Sequence, residues 1–295
     1  MRLSSIAASF VTLAVVFLHS QPVMAAARFF SPSGTGTTCS QSAPCLLSTA
    51  AGEGGATGVE LSCADGSDNG AVLISQSLTI DCVGTAGSLN PITVTSGAVV
   101  TLRNFTMWAV SNGIILQSGT VILENVHISG AGIAISAQPT SPSAVIVKNC
   151  IFDTGGAGVV LKPQAGGGNL SAVFDHVTIS SNIGGGIKID TTNAPVTVDI
   201  TDSVISNNAG NGINAVGGAG GPAMFSIHNS IIAKNGTAGV QVNGGTAAAV
   251  IDTTLLDSNV TGATSVVNGG RLLTYGNNRI VGPTGSGFTG STPLQ

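Results

Sequence analysis

Between Arg103 and about Val281 the chain states one pattern seven times: a polar residue, usually followed by Asn, then an alternating apolar strand, two or three turn residues, and Gly leading a second short strand. The copies read RNFTMW at Arg103, ENVHIS at Glu124, KNCIFD at Lys148, DHVTIS at Asp175, TDSVIS at Thr201, HNSIIA at His228 and DTTLLD at Asp252. Their second apolar positions, Met107, Ile128, Phe152, Ile179, Ile205, Ile232 and Leu256, lie 21, 24, 27, 26, 27 and 24 residues apart. The second strand follows Gly, as GIIL from Gly113, GIAI from Gly132, GVVL from Gly158, GIKI from Gly186, GINA from Gly212 and GVQV from Gly239. A third precedes the next unit, such as TVIL ending at Leu123 and VTVDI ending at Ile200. Three short strands at a constant period, always in the same order, predict a coil that stacks on its next copy, strand beside strand. Apolar residues such as Val126, Ile128, Ile133 and Ile135 then point inward, and because no unit can bury that face alone, the core exists only through neighbours.

Composition points to strands rather than disorder. Hydrophobic residues make up 43% of the chain while charged residues are 7%, so there is ample apolar surface to form a core. Residues 1–27 read separately. Arg2 gives a positive start, an apolar run extends from Ile6 to Leu18, Pro22 breaks it, and Ala25-Ala26-Ala27 offers a small-x-small cleavage site. The run falls short of the roughly 20 apolar residues of a membrane-spanning helix, so the expectation is a cleaved secretory signal and a secreted or periplasmic protein with no membrane span after its removal. An uncleaved anchor is the rival, and it too exports the rest of the chain. Without Arg2 the chain carries eight basic and thirteen acidic residues. That acidic balance argues against nucleic acid and anionic membrane as partners.

All five cysteines lie beyond the signal, and four crowd its downstream side: Cys39, Cys45, Cys63 and Cys82. In an oxidising compartment disulfides are the default, and sequence proximity favours Cys39–Cys45 and Cys63–Cys82 among three pairings. The stretch lacks the CxxC and His spacing of a structural metal site, so no metal is expected there. Cys150 falls in the column of Phe105, Val126, Val177, Ser203, Ser230 and Thr254, which predicts a buried free thiol. An open stack needs its ends covered. APCLLSTAA from Ala43 can form a helical turn or two, pinned by the cysteines over the first coil, while the stretch from Gly282 reads as a flexible tail. The expected division is thus a signal over 1–27, an N-terminal cap and first strands over 28–75, the coil stack over 76–281 and the tail over 282–295.

Asn residues recur at the corners. Asn104, Asn125, Asn149 and Asn229 predict a ladder at one corner, since Asn tolerates left-handed backbone and its amide can bond to its copies above and below. His176, Asp202 and Thr253 interrupt it. Asn182, Asn208, Asn235 and Asn259 form a second set, three residues after the apolar position of the first strand. The pattern N-x-x-[IVL], N-x-x-G-[IV] and a third short strand resembles the right-handed parallel β-helix superfamily that includes pectin lyases. The chain beyond the signal also resembles a family of secreted bacterial β-helix proteins of unassigned function. That likeness rests on RFFSPSGTGTTCSQSAPC, LTIDC at Leu78 and LLTYGNNRIVG at Leu272. The resemblance implies an all-β, single-stranded right-handed parallel β-helix, the handedness agreeing with the preference of parallel crossovers. A fold of this kind hosts many functions.

The resemblance also implies where chemistry is to be sought: β-helix enzymes act on polysaccharide with charged groups on a strand face. Hydrolysis needs carboxylates at defined separation, and lyase action needs a base and often Ca²⁺. Outward positions of the first strand are Thr106, His127, Ile151, Thr178, Val204, Ile231 and Leu255, four of the seven aliphatic. The densest ionisable column lies at the corner before it, as Arg103, Glu124, Lys148, Asp175, Thr201, His228 and Asp252, with His176 and Asp202 beside it. AVFDHVTIS at Asp175 and His176 is similar to the W-I-D-H stretch of pectate lyases, but Phe174 replaces one motif residue and the Arg and calcium-binding Asp residues have no counterparts. Lys148, Asp175, His176 and Asp202 are therefore the catalytic candidates. Alternating charge that sets coil register accounts for the column better. The GGxGxD nonapeptide of a calcium β-roll does not recur, and no cofactor is expected. Ile151, Val204, Ile231 and Leu255 suggest a contact surface for self-association. The expected function is a noncatalytic β-helix surface or binding module, toward polysaccharide or envelope components; the alternative is a divergent polysaccharide lyase or hydrolase.

Overall fold

The computed structural model describes residues 28–52, 59–65, 70–83, 91–108 and 111–292. The signal expected over 1–27 lies outside the described residues. Every ladder between named strands is parallel, and the strands fall into two sheets, one of eighteen strands and one of nine. The larger sheet carries the first and third strands of each unit, and the smaller carries the second. The chain is an all-β parallel coil stack, as its period predicts.

The columns form the core. On the third strand Ile80, Leu102, Leu123, Val147, Phe174, Ile200, Ile227 and Ile251 stand in one register and are fully buried. On the first strand Met107, Ile128, Phe152, Ile179, Ile205, Ile232 and Leu256 do the same. Burying such a side chain contributes about 1.5–3 kcal/mol, realised only when the next coil is present. One inward position differs from expectation. Ile133 is half-buried: it stands beside Asn112 and Ala157 at the start of its strand, two residues before the buried column of Ile114, Ile135 and Val159.

Gly before the second strand answers a packing need. A Cβ at Gly186 would lie 2.4 Å from Gly212 O and 2.5 Å from Ile205 Cγ2, so the turn closes onto the next coil only without a side chain. The neighbouring interior is polar but satisfied. Asn182, Asn208, Asn235 and Asn259 are buried and each Nδ2 donates to the next Oδ1 at 2.8, 3.1 and 2.9 Å.

Both ends are covered. Cys39–Cys45 and Cys63–Cys82 are bonded. The first loop is hydrogen-bonded onto the strand Arg28–Phe30, with Phe29 N donating to Cys39 O and Ser31 N to Cys45 O. The short helix Leu47–Gly52 buries Leu47, Ala50 and Ala51. At the other end the sequence suggests a flexible tail, but residues 283–292 pair with the last coil. Ala263 N donates to Pro283 O, Thr264 N to Thr284 O, and Ser286 N to Thr264 O, while Phe288 packs on the core. The strand Gly262–Val267 would otherwise present unpaired backbone groups, and the tail satisfies them.

Candidate functional site

The corner between third and first strands is left-handed in every unit. Asn104, Asn125, Asn149, His176, Asp202, Asn229 and Thr253 have φ between 43° and 61°. The interrupting residues therefore adopt the conformation that the Asn residues suit. Asn125 Nδ2 donates to Asn104 Oδ1 at 3.1 Å, one rung of the expected ladder.

Of the four catalytic candidates, the corner brings three together. Asp175, His176 and Asp202 each offer a ligand atom within 4.8 Å of the other two. His176 Nδ1 lies 2.6 Å from Asp175 Oδ1, and this hydrogen bond raises the imidazole pKa above its ordinary range. Asn229 Nδ2 donates to Asp202 Oδ1. Lys148 stands in register with both Glu124 and Asp175, as the alternating column predicts. Among the described residues, however, no ion pair closes between Lys148 and either carboxylate. Besides His176 with Asp175, the pairs that form here include Arg103 with Asp81 at 2.6 Å and with Glu60 at 3.6 Å, and His228 Nδ1 with Asp252 at 3.3 Å. Alternation thus sets which charges are neighbours without drawing each exposed pair into contact, in keeping with the small energy of such pairs.

The aliphatic row is also in register. His127, Ile151, Thr178, Val204, Ile231 and Leu255 occupy successive coils, with Ile151 and Ile231 exposed and Val204 and Leu255 half-buried. His127 closes one end, its Nε2 at 3.1 Å from Asp153 Oδ2 and its ring 6.2 Å from that of exposed Trp108. Burial works against the Asp153 charge, but hydrogen bonds from Ser129, His127 and Thr154 prevail and hold its pKa below the usual range.

A third surface was not singled out in the sequence. Outward residues of the second strand run Ile115, Ser136, Val160, Lys188, Asn214, Gln241 and Ser265 in continuous register. Two grooves lie on this face. One, of about 470 Å³, is lined by amides and hydroxyls including Asn112, Gln117, Ser136, Gln138, Thr140 and Gln164. The other, of about 260 Å³, is mainly apolar, lined by Val160, Ile187 and glycines with Lys188, Asn211 and Asn214 as its polar side chains. Gln164 Nε2 donates to Gln138 Oε1 at 2.7 Å, and Asn211 Nδ2 to Gln241 Oε1 at 3.1 Å. Asn214 Oδ1 is buried with no hydrogen-bond partner.

Beside them Lys162 Nζ and Lys188 Nζ converge on one Asp190 oxygen at 3.6 and 3.5 Å. Burial disfavours the Asp190 charge, but two hydrogen bonds from Thr192 and the two ammonium groups outweigh it, so its pKa lies below the usual range. The signal for this face was the third letter of GVVL, GIKI, GINA and GVQV, where an apolar residue gives way to Lys, Asn and Gln. A further groove of about 340 Å³ on the third-strand face is mainly apolar, with Asp199, Ser226 and Arg271 at its polar margin.

A family model described as a right handed beta helix region matches residues 50–223. No curated protein matches the chain. Among solved structures, the crystal structure of pectate lyase Pel9A is similar with a TM-score of 0.57 at 15% sequence identity, covering 90% of this chain and 78% of that one. At that identity the likeness concerns the coil fold alone and leaves the surface chemistry to the residues themselves.

Proposed function

Because the chain belongs to the right-handed β-helix family, we propose that it is an exported, noncatalytic module whose second-strand face binds polysaccharide or a related envelope component. The observation that carries this reading is the groove lined by Asn112, Gln117, Ser136, Gln138, Thr140 and Gln164, whose amides and hydroxyls can both donate to and accept from sugar hydroxyls, with Asn211 and Asn214 adding amides in the neighbouring groove.

Catalysis is disfavoured by the same inventory. Retaining hydrolysis needs two carboxyl groups about 5–5.5 Å apart, and inverting hydrolysis about 6.5–9.5 Å. No carboxylate is among the described residues lining these two grooves. Neighbouring Asp190 is engaged by two lysines and Thr192. A calcium-dependent lyase site, which collects several carboxylate oxygens, does not fit this face.

A polysaccharide array probed with the chain from Arg28 onward tests the proposal. Binding should fall about tenfold in Gln138→Ala/Gln164→Ala and in Asn214→Leu, each expected to remove sugar hydrogen bonds worth on the order of 1.4 kcal/mol in total. Absence of glycan binding, or binding indifferent to both variants, counts against it. The same polymers are followed for unsaturated uronide absorbance and new reducing ends; turnover abolished by Asp175→Ala or His176→Ala would install the enzymatic alternative instead. Self-association would use the row of Ile151 and Ile231, and sedimentation at high concentration distinguishes it.

A further inference from the structure

The corner cluster has a chemistry of its own, separate from the glycan face. We propose that Asp175, His176 and Asp202 bind a divalent transition-metal ion of the zinc type. The donors come from two successive coils, and their atoms already lie within 4.8 Å of one another. Zinc–ligand bonds of about 2.1 Å place donors about 3.4 Å apart in a tetrahedral shell. The three side chains are exposed or half-buried, so ordinary rotation closes the remaining distance.

The backbone prepares this convergence. His176 and Asp202 hold φ of 55° and 50°, fixed by the coil above and below. Elsewhere on the corner Asn residues can bond copy to copy, because an amide both donates and accepts, as Asn125 does to Asn104. Two successive positions here carry an imidazole and a carboxylate instead, with a second carboxylate at Asp175. Asp175 Oδ1 and His176 Nδ1 already face each other at 2.6 Å, and on binding the ion takes the place of the proton they share, which leaves to solvent. Asn229 orients Asp202 from outside the cluster, the kind of supporting bond that keeps a metal ligand aimed. Lys148, the nearest cation in register, makes no ion pair with Asp175 among the described residues. An imidazole donor with two carboxylates suits zinc, and the set is too small and too mixed for calcium, which takes six to eight oxygens. Water would complete the shell.

Titration calorimetry on tag-free protein with ZnCl₂ and separately with CaCl₂ tests the site. One saturable zinc site is expected, with calcium at least tenfold weaker. His176→Gln and Asp202→Asn should each weaken zinc about 10–100-fold, whereas Lys148→Gln should not weaken it. Imidazole NMR signals of His176 should shift on zinc addition while those of His127 remain unchanged, a readout that loss of fold would not mimic. No saturable zinc binding, calcium binding as tight as zinc, or undiminished affinity in both ligand variants overturns the proposal.

Discussion

Cys150 shows what a single position must satisfy inside a stacked coil. Its Sγ accepts from Val126 N at 3.4 Å and donates to Lys148 O at 3.1 Å. Ser203 and Ser230 in the same column do the same with their hydroxyls: each accepts from a backbone N–H of the preceding coil and donates to the carbonyl two residues back. The thiol thus stands in for a serine, a role that the column read from the sequence contained without revealing. Cys150→Ser should leave the unfolding midpoint within a few degrees, whereas Cys150→Val strands Val126 N–H and should cost about 1–3 kcal/mol. Burial pushes the thiol pKa up to about 11. The unfolded thiol ionises near 8.5, so the folded state holds the proton between those values and stability falls as pH rises through them. Denaturant titrations should show the wild type losing stability relative to Cys150→Ser from pH 8 to 10.5; parallel curves would contradict this account.

At the scale of the element, the two Asn sets do different work. The corner set was legible because left-handed backbone selects Asn, and its interrupters share that backbone. The other set was visible only as a spacing, and its burial comes from turns that lay Gly155, Gly186, Gly212 and Gly239 against Asn182, Asn208, Asn235 and Asn259. Asn208 Oδ1 accepts from both Asn182 N and Asn182 Nδ2, while its own Nδ2 donates to Ile179 O and Asn235 Oδ1. Asn208→Ala should therefore cost roughly 2–4 kcal/mol by leaving several buried groups unpaired. Asn125→Ala at the exposed corner should cost only about 1–2 kcal/mol, the strain of a left-handed alanine. Equal losses in chemical denaturation would show that the interior ladder has no special weight.

The whole molecule is a one-dimensional stack, so its ends matter more than those of a closed domain. Residues 283–292 close one of them, against the expectation of a flexible tail. The sequence there is rich in Gly, Ser and Thr, which reads as loose until the edge it pairs with is known. Gly285 is needed for that approach: its φ is 75°, and a Cβ would sit 1.9 Å from Thr264 O. Deleting 283–295 should expose the strand Gly262–Val267 and produce concentration-dependent association in sedimentation velocity, with loss of hydrogen-exchange protection at Thr264 and Ala263. A truncated chain that remains monomeric and protected would refute the capping role.

The sequence alone determined the coil: period, strand order, inward columns, disulfide pairs and the left-handed corner are all local or repeating, and parallel stacking converts each repeat into a column. The tertiary structure decided what repetition cannot encode. It brought Asp175, His176 and Asp202 within reach of one another, gathered Lys162 and Lys188 around Asp190, and laid the tail along the last edge. The candidate sites are juxtapositions between coils, set by how far each turn reaches and which side chains bend toward a neighbour. Those distances depend on the packing of every coil between them, which no single repeat specifies.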